Sequence, residues 1–305
     1  MRRFVILFAL VGLTACDSGG SGASTSPSVG SVPATQTPSS TAPTSASPRT
    51  SSSAARRTST HPRVRVTPPS PSTSSPATQA APPPVGGRPT VVLNPGHNGA
   101  NGSHTAEINR LVPAGYGQQK ACDTTGTNSN AGYPEHAFTW DVTLRARTIL
   151  QNRGVRVVLT RWNDSGVGPC VDERAAIGNQ AGVAAVVSIH ADGAPSSGHG
   201  FHVNLASRTP DGATQATVRS SQRLGEDVHA ALQKSSGLVP STYIGKNGYF
   251  YRDDLAGLNL ARKPATFLEL GNMRNAGDAA LLSSASGRGR IAAAVAAGIL
   301  AYLGR

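Results

Sequence analysis

The sequence predicts one α/β domain over residues 90–305, with a largely parallel β-sheet covered by helices on both faces. Proline is concentrated outside this range, because 14 of the 22 prolines lie in residues 17–89, among Ser, Thr, Ala and Gly. A segment of that composition buries too little apolar surface to fold. After residue 89, short apolar runs alternate with helical patterns, an order typical of parallel sheets. The remaining length suits one sizeable domain, and we expect no second enzyme domain.

Each element of the domain has its own sequence signal. The first strand, residues 90–94, is a short apolar run that ends at a Pro-Gly turn. A helix is predicted over residues 135–152, because apolar side chains recur on one face until Gly154 stops the pattern. The same reasoning predicts strands over residues 155–161, 183–189, 199–205 and 265–270, and helices over residues 172–181, 216–234 and 287–303.

The N-terminus is predicted to be an export signal. Arg2 and Arg3 precede an apolar run over residues 4–15, which is too short to span a membrane as a helix. The run ends in Leu-Thr-Ala-Cys16, which resembles the bacterial lipobox, so we expect a signal peptide over residues 1–16 with a lipid on Cys16. The alternative is an ordinary cleaved signal with an incidental cysteine. A diacylglyceryl group would supply the two acyl chains that stable anchoring takes.

Residues 17–89 would then be a disordered Ser/Thr/Pro-rich tether. Where proline is sparse the tether would be flexible coil, and where proline is dense it would be stiffened towards polyproline II. As coil it would span about 45 Å. We therefore expect an exported protein in the cell envelope, anchored by lipid to the outer face of the cytoplasmic membrane, with no other membrane contact.

The net charge of +12 is shared between the two parts of the chain. Residues 1–89 carry eight basic and one acidic side chain, and residues 90–305 carry 20 and 15. The basic groups form no dense cluster with interleaved aromatic residues, which are only 5% of the chain, so nucleic-acid binding is not expected. The charge instead indicates a general attraction to anionic surfaces.

Polar side chains lie at or near the predicted strand ends, where open α/β sheets bind ligands. His97 follows the first strand, His190 follows the strand over residues 183–189, and Glu269 lies near the end of another. Glu135 lies in the first turn of a helix, on the face of the buried stripe. His97, Glu135 and His190 would form a zinc ligand set that leaves a fourth position for water. Glu269 would serve as general acid and base.

Each of these side chains also has a structural alternative. His97 could cap a turn, His190 could be a buried core histidine, and Glu135 could be a glutamate favoured by the helix dipole. His136 competes with Glu135 as a ligand, but it lies about a quarter turn from the buried stripe. An unpaired buried carboxylate is costly, so Glu269 is the hardest of the four to explain by structure alone.

The order of the motifs resembles the zinc-dependent N-acetylmuramoyl-L-alanine amidases of the amidase_3 family. The motifs are Asn-Pro-Gly-His97, Glu135 at a helix start, Val-Val-Leu-Thr-Arg161, an Arg174 helix, Ser-Ile-His190-Ala-Asp and Leu-Glu269-Leu-Gly-Asn. The resemblance covers essentially all of residues 90–305. It implies a mixed, mostly parallel sheet sandwiched between helices in a single catalytic domain. It also implies one zinc ion, with the ligands named above, and Glu269 as the catalytic glutamate.

The resemblance implies peptidoglycan or muropeptides as substrate, cleaved at the amide between N-acetylmuramic acid and L-alanine. Asn94 and Asn98 depart from the family's usual motif, which has Asp and Gly there; the departure puts the support of His97 in question. The chain shows no separate wall-binding module, and we expect a monomer. The alternatives are a non-catalytic peptidoglycan-binding lipoprotein and a zinc carboxypeptidase acting on the stem peptide.

Cys122 and Cys170 remain once Cys16 is assigned to lipid. A disulfide is the default for an even pair in an exported protein, with metal ligands or free thiols as alternatives. We expect this disulfide to pin the long interval between His97 and Glu135 beside the substrate cleft. Arg252 and Lys246 would suit the carboxylates of a stem peptide on the opposite wall, although an exposed salt-bridging face is the alternative.

Overall fold

A computed structural model of the chain describes residues 87–305. The predicted signal peptide, Cys16 and nearly all of the predicted tether lie outside the described residues. The strands are β1 (Thr90–Pro95), β2 (Leu111–Gly115), β3 (Gln118–Ala121), β4 (Arg156–Leu159), β5 (Val183–Asp192), β6 (His202–Ala206), β7 (Tyr249–Arg252) and β8 (Ala265–Asn272). The α-helices are α1 (Thr105–Ile108), α2 (Glu135–Asn152), α3 (Val171–Gly178), α4 (Gln215–Ser235), α5 (Ala256–Asn259), α6 (Ala276–Ser283) and α7 (Ala285–Tyr302).

The central sheet has six strands in the order β4-β1-β5-β8-β6-β7. Strands β4, β1, β5 and β8 are parallel to one another. Strand β6 is antiparallel to β8, and β7 is parallel to β6. The predicted fold class, a mixed and mostly parallel sheet between helices in a single domain, is therefore confirmed.

The two faces of the sheet are covered unequally. On one face, α7 packs against both α2 and α4, and the large core cluster includes Phe138, Val187, Leu268 and Val295, all fully buried. On the other face, α3 and α5 cover the sheet with a much smaller apolar cluster around Leu258. The less covered face leaves room for a cleft at the carboxyl ends of the parallel strands.

Most predicted elements are present, with shifted ends. Strand β5 runs three residues beyond its predicted end at residue 189, because β8 pairs with it as far as the Asp192–Asn272 pair. His190 therefore lies inside the strand rather than after it. Strand β4 ends at Leu159, two residues before the predicted end, and β6 begins at His202 rather than at residue 199.

The sequence reading missed the hairpin of β2 and β3. This hairpin lies in the interval between His97 and Glu135, which was predicted only as a long loop. Its strands have only five and four residues, and neither Leu-Val-Pro-Ala-Gly nor Gln-Gln-Lys-Ala shows the alternation of apolar and polar side chains that predicts a strand. The turn is made by Gly115, Tyr116 and Gly117, whose φ angles of 83°, 55° and 72° lie in the left-handed region that glycine favours. Within residues 87–305, no helix is long and apolar enough to cross a membrane.

Gly298 sets the approach of α7 to α4, and this predicts the outcome of a substitution. A Cβ atom on Gly298 would lie 2.4 Å from the Cα atom of Val228. We expect Gly298→Ala to lower the free energy of unfolding by about 1–3 kcal/mol through overpacking, although alanine is the better helix former. Chemical denaturation measures this change.

Gly289, also in α7, is the matched control. A Cβ atom there would meet only the flexible end of Arg145, at 3.8 Å. Gly289→Ala should be neutral or stabilise by up to about 1 kcal/mol. Equal effects of the two substitutions would show that Gly298 does not control the helix spacing.

Candidate active site

Three neighbouring strands bring His97, His190 and Glu269 together. His190 on β5 and Glu269 on β8 are paired directly in the sheet register. Because paired residues point to the same face, both side chains face the less covered side of the sheet. His97 lies two residues beyond β1, which adjoins β5 on its other side. The side chains therefore meet at the carboxyl edge of the sheet, the usual place for a ligand site in this architecture.

Glu135 completes a cluster whose donor atoms fit a metal ion. Glu135 Oε1 lies 3.2 Å from His97 Nε2 and 3.0 Å from His190 Nδ1. One ligand atom from each of the three residues lies within 4.8 Å of the others. Four ligands about 2 Å from a tetrahedral ion are about 3.3 Å apart. His136 does not compete for this place, since it belongs neither to the cluster nor to the lining of the adjoining cleft, and its Nδ1 lies 2.8 Å from Asp164 Oδ2 instead.

The backbone fixes the Glu135 carboxylate. The amide of Thr127 donates to Oε2 at 2.9 Å, and the amide of Ala191 donates to Oε1 at 3.1 Å. Burial raises the pKa of Glu135, but the charge of His97 and the hydrogen bonds from both imidazoles outweigh burial and hold the pKa far below its usual range. Glu135 therefore presents an ionised carboxylate held in a fixed position.

The pKa values of the two imidazoles are shifted in opposite directions. Burial lowers the pKa of His97, but the carboxylates of Glu135 and Asp123 overcome burial and raise the pKa well above its usual value. For His190, burial outweighs the hydrogen bond that the ring donates to Glu135, and the pKa of His190 is lowered. Both side chains are nearly buried, at 11% and 12% exposure. A cation bound at Glu135 would compete with the proton on His97.

A buried arginine holds the loop that carries His97. The Arg174 guanidinium donates to the carbonyl oxygens of Pro95 and His97 at 2.8 and 3.1 Å, and to Asn94 Oδ1 at 3.0 Å. It also donates to Asp123 Oδ2 at 3.0 Å. These contacts hold the His97 backbone at a φ of 57°, a left-handed conformation that costs energy in a residue other than glycine.

Asp123 and its neighbour orient the His97 ring. His97 Nδ1 lies 2.9 Å from the carbonyl oxygen of Thr124 and 3.4 Å from Asp123 Oδ1. Because a carbonyl oxygen can only accept, Nδ1 carries the hydrogen in this bond. Once a metal ion displaces the proton on Nε2, that nitrogen would point its lone pair at the cluster, the orientation that a metal ligand needs.

The unusual Asn94 fits this network. Its Oδ1 accepts from Thr160 Oγ1 at 2.6 Å as well as from Arg174, and its Nδ2 donates to Ser188 Oγ at 2.8 Å. The side chain thus uses both an acceptor and a donor, which an amide provides and a carboxylate does not. Asn94 therefore supports the His97 loop, although the family motif has Asp at this position.

The disulfide joins the two segments that supply Asp123 and Arg174. Cys122 and Cys170 are bonded across a sequence separation of 48. Cys122 directly precedes Asp123, and Cys170 is the N-cap residue of α3, which carries Arg174. The bond therefore ties the interval after His97 to α3, as the sequence predicts for this pair.

Two glycines make room for the cluster. A Cβ atom on Gly96 would lie 2.0 Å from the His190 ring. At Gly126, whose φ is 75°, a Cβ atom would lie 2.9 Å from both Glu135 Oε2 and the His97 ring. The Pro-Gly turn read from the sequence is thus also a packing requirement.

Glu269 offers a carboxylate oxygen that has no partner within the described part of the chain. Its Oε2 atom is buried and makes no hydrogen bond there. Burial, together with the charges of Glu135 and Asp192, raises the pKa of Glu269 well above its usual value. A carboxyl group with a raised pKa beside a metal cluster is suited to accepting and donating a proton.

All four residues line one cleft of about 340 Å³. Arg252 lines it too, as expected, together with Lys120, which the sequence reading missed. Lys246 is not among the lining residues, so the structure gives its expected role no support. Asp123 and Arg174 were also missed as site residues, although an aspartate beside a predicted disulfide cysteine was an available signal.

The comparisons with known proteins agree with this geometry. The model of the Amidase_3 family, described as N-acetylmuramoyl-L-alanine amidase, matches residues 91–301. N-acetylmuramoyl-L-alanine amidase Rv3717 of Mycobacterium tuberculosis is 48% identical over 215 residues, which are 70% of this chain and 86% of that protein.

Two solved structures are similar at comparable identity. The N-acetylmuramyl-L-alanine amidase Ami1 of Mycobacterium smegmatis is 47% identical with a TM-score of 0.66, covering 70% of this chain and 96% of that one. The apo form of Ami1 from Mycobacterium abscessus is 50% identical with a TM-score of 0.66, covering 72% of this chain and all of that one.

The Arg174 network predicts a loss of metal affinity on substitution. Arg174→Lys keeps the charge but loses the planar fork that contacts several oxygens at once. We expect the affinity for a divalent metal ion to fall about 10- to 100-fold, measured by competition with a chelating indicator. Arg219→Lys, on the exposed side of α4, is the control. Unchanged affinity in a folded Arg174→Lys protein would show that the His97 loop holds its shape without the fork.

Proposed function

The chain belongs to the Amidase_3 family of N-acetylmuramoyl-L-alanine amidases, and we propose that it hydrolyses peptidoglycan with a zinc ion held by His97, Glu135 and His190 and with Glu269 as the catalytic glutamate. The scissile bond is the amide between N-acetylmuramic acid and L-alanine. One observation carries the assignment of roles: the three donor atoms lie within 4.8 Å of one another, in the cleft that Glu269 also lines.

Two imidazoles and one carboxylate form a donor set typical of catalytic zinc, which leaves a fourth position for water or substrate. When bound, zinc supplies a Lewis acid that polarises the scissile carbonyl and makes water acidic enough to lose a proton near neutral pH. The chain's own contribution begins with the fixed ligand geometry. Thr127 and Ala191 hold the Glu135 carboxylate, so little reorganisation accompanies metal binding.

Glu269 moves the proton. Its free Oε2 accepts a proton from the attacking water, whose oxygen forms the new bond to the lactyl carbonyl carbon. The same carboxyl then donates that proton to the departing nitrogen of L-alanine as the carbon–nitrogen bond breaks. The products are a lactyl carboxylic acid on the glycan and a stem peptide with a free amino terminus.

The alternatives from the sequence are less well supported. A non-catalytic wall-binding module has no use for a buried carboxylate oxygen without a partner, because such a group costs stability. A stem-peptide carboxypeptidase would share the metal but cleave another bond, and the similar proteins are named as amidases of the muramoyl–alanine bond.

The direct test is product analysis. Muropeptides are incubated with the full chain, with a chelator, and with the chelator followed by added zinc, and the products are identified by mass spectrometry. We expect release of a stem peptide with an L-alanine amino terminus, lost on chelation and restored by zinc. Cleavage within the stem would establish the carboxypeptidase, and binding without cleavage would establish the non-catalytic module.

The assigned roles predict different losses for two variants. Glu269→Gln should keep zinc, because Glu269 is not a ligand, but turnover should fall about 10²- to 10⁴-fold with the loss of the acid and base. His97→Ala should lose zinc as well as turnover. Bound metal and product formation are measured for both variants. Glu226→Gln, at an exposed position of α4, is the control. Zinc loss in Glu269→Gln would contradict the assignment.

We also propose the organisation expected from the sequence: a signal peptide over residues 1–16, a tether over residues 17–89 and a monomeric catalytic domain over residues 90–305, lipid-anchored in the envelope through Cys16. The support is the lipobox-like tetrapeptide and the composition of the tether. We expect Cys16→Ala to move the protein from the membrane fraction to the soluble exported fraction, while Ser18→Ala stays at the membrane. A Cys16→Ala protein that remains membrane-bound would contradict the anchor.

A further inference from the structure

The catalytic cleft is lined by both acidic and basic side chains. Four carboxylates, those of Asp123, Glu135, Asp192 and Glu269, line it around the metal cluster. Two cations that the proposed chemistry does not use, Lys120 and Arg252, line the same cleft. A cleft that is acidic around the reacting bond and basic further along favours an elongated ligand that bears an anion at a distance from that bond.

We propose that Lys120 and Arg252 form a subsite for a free carboxylate of the stem peptide, beyond the L-alanine at the scissile bond. The proposal rests on the function proposed above and adds a specificity to it. The subsite favours stems whose side-chain or α-carboxyl groups are free over stems in which these groups are amidated.

Asp254 holds both cations in place from outside the cleft. Arg252 Nε and Nη2 donate to the two carboxylate oxygens of Asp254, at 2.8 and 2.6 Å, and Lys120 Nζ donates to its backbone oxygen at 2.9 Å. Asp254 does not line the cleft, and its side chain is 60% exposed. The Asp254 ion pair therefore fixes Arg252 and the Asp254 carbonyl oxygen fixes Lys120, while the Asp254 carboxylate does not line the cleft.

Both cations keep donors for a ligand. Within residues 87–305, Arg252 Nη1 has no hydrogen-bond partner, and Lys120 Nζ uses one of its three donors. Burial lowers the pKa of Lys120, which indicates an ammonium group that is partly desolvated without full compensation. Arg252 is only 25% exposed. An arriving carboxylate would meet two preplaced positive groups with little water to displace.

The sheet register sets the distance from the scissile bond. Glu269 pairs with His202 on β6, and Arg252 pairs with Ala206 on the same strand. His202 and Ala206 are four residues apart, which is about 13 Å along β6. Strands β8 and β7 flank β6 and are therefore two strand spacings, about 10 Å, apart. The backbones of Glu269 and Arg252 are thus about 16 Å apart, and both side chains lie on the same face of the sheet, because their partners His202 and Ala206 lie on the same face of β6.

That distance suits a stem peptide. An extended peptide advances about 3.3–3.6 Å per residue, so the carboxylates carried by the second to fourth stem residues come within reach of Lys120 and Arg252 when L-alanine lies at the cluster. Arg252 Nη1 and the two remaining donors of Lys120 Nζ would bind the two oxygens of such a carboxylate.

The test compares two synthetic muramoyl tripeptides that differ only in their carboxylates, free in one and amidated in the other. The zinc-loaded full chain is assayed for KM and kcat with each. We expect the amidated substrate to have a KM about five- to tenfold higher at similar kcat. Lys120→Met and Arg252→Gln should raise KM for the free acid by a similar factor and abolish the preference. Lys234→Met and Arg219→Gln, on the far face, are controls that should retain it.

The possible results distinguish a failure of the subsite from a failure of the proposed function. Equal KM values for the two substrates in the unsubstituted chain would overturn the subsite while leaving the amidase activity intact, and that comparison does not depend on how any variant folds. A preference that survives in folded Lys120→Met and Arg252→Gln proteins would also overturn the assignment to these residues. Absence of cleavage of either substrate would instead contradict the proposed function.

Discussion

The buried guanidinium of Arg174 is the contact on which the arrangement of the site depends. It reaches the end of β1, the backbone of His97 and the carboxylate of Asp123 from a single position in α3. Each buried oxygen left without its donor would cost about 1–3 kcal/mol, and the left-handed backbone at His97 would lose its support. The disulfide reinforces this contact, because Cys122 and Cys170 flank the two segments that the ion pair joins.

The parallel sheet turns sequence-distant residues into neighbours. His190 and Glu269 are side by side because β5 and β8 run in register, and the unequal coverage of the sheet leaves their face open to substrate. Glycine at position 96 lets the His97 loop lie against the His190 ring. His190 and Glu269 thus lie on rigid strands, His97 follows β1 and Glu135 begins α2, while the hairpin of β2 and β3 and the end of β7 supply the walls of the cleft.

The sequence was informative where the signal was local. The apolar run of β1, the periodic face of α2 and the polar residues at strand ends predicted the core of the fold, and the family resemblance named the four residues that the structure gathers. Asp123, Arg174 and Lys120 were missed because their roles come from contacts across 50 or more residues that no periodicity records. Lys246 looked equivalent to Arg252 in the sequence, but the turn before β7 keeps it from the cleft lining.

The proposed mechanism depends on which side chains hold the metal and which one moves the proton. Anomalous diffraction at the zinc edge, from crystals of the zinc-loaded protein, tests this most directly. We expect one strong peak bound by His97, Glu135 and His190, with the Glu269 carboxylate outside the ligand set and facing the open position. A peak bound by Glu269 or Asp123 in place of one of these three residues, or no peak at the cluster, would contradict it.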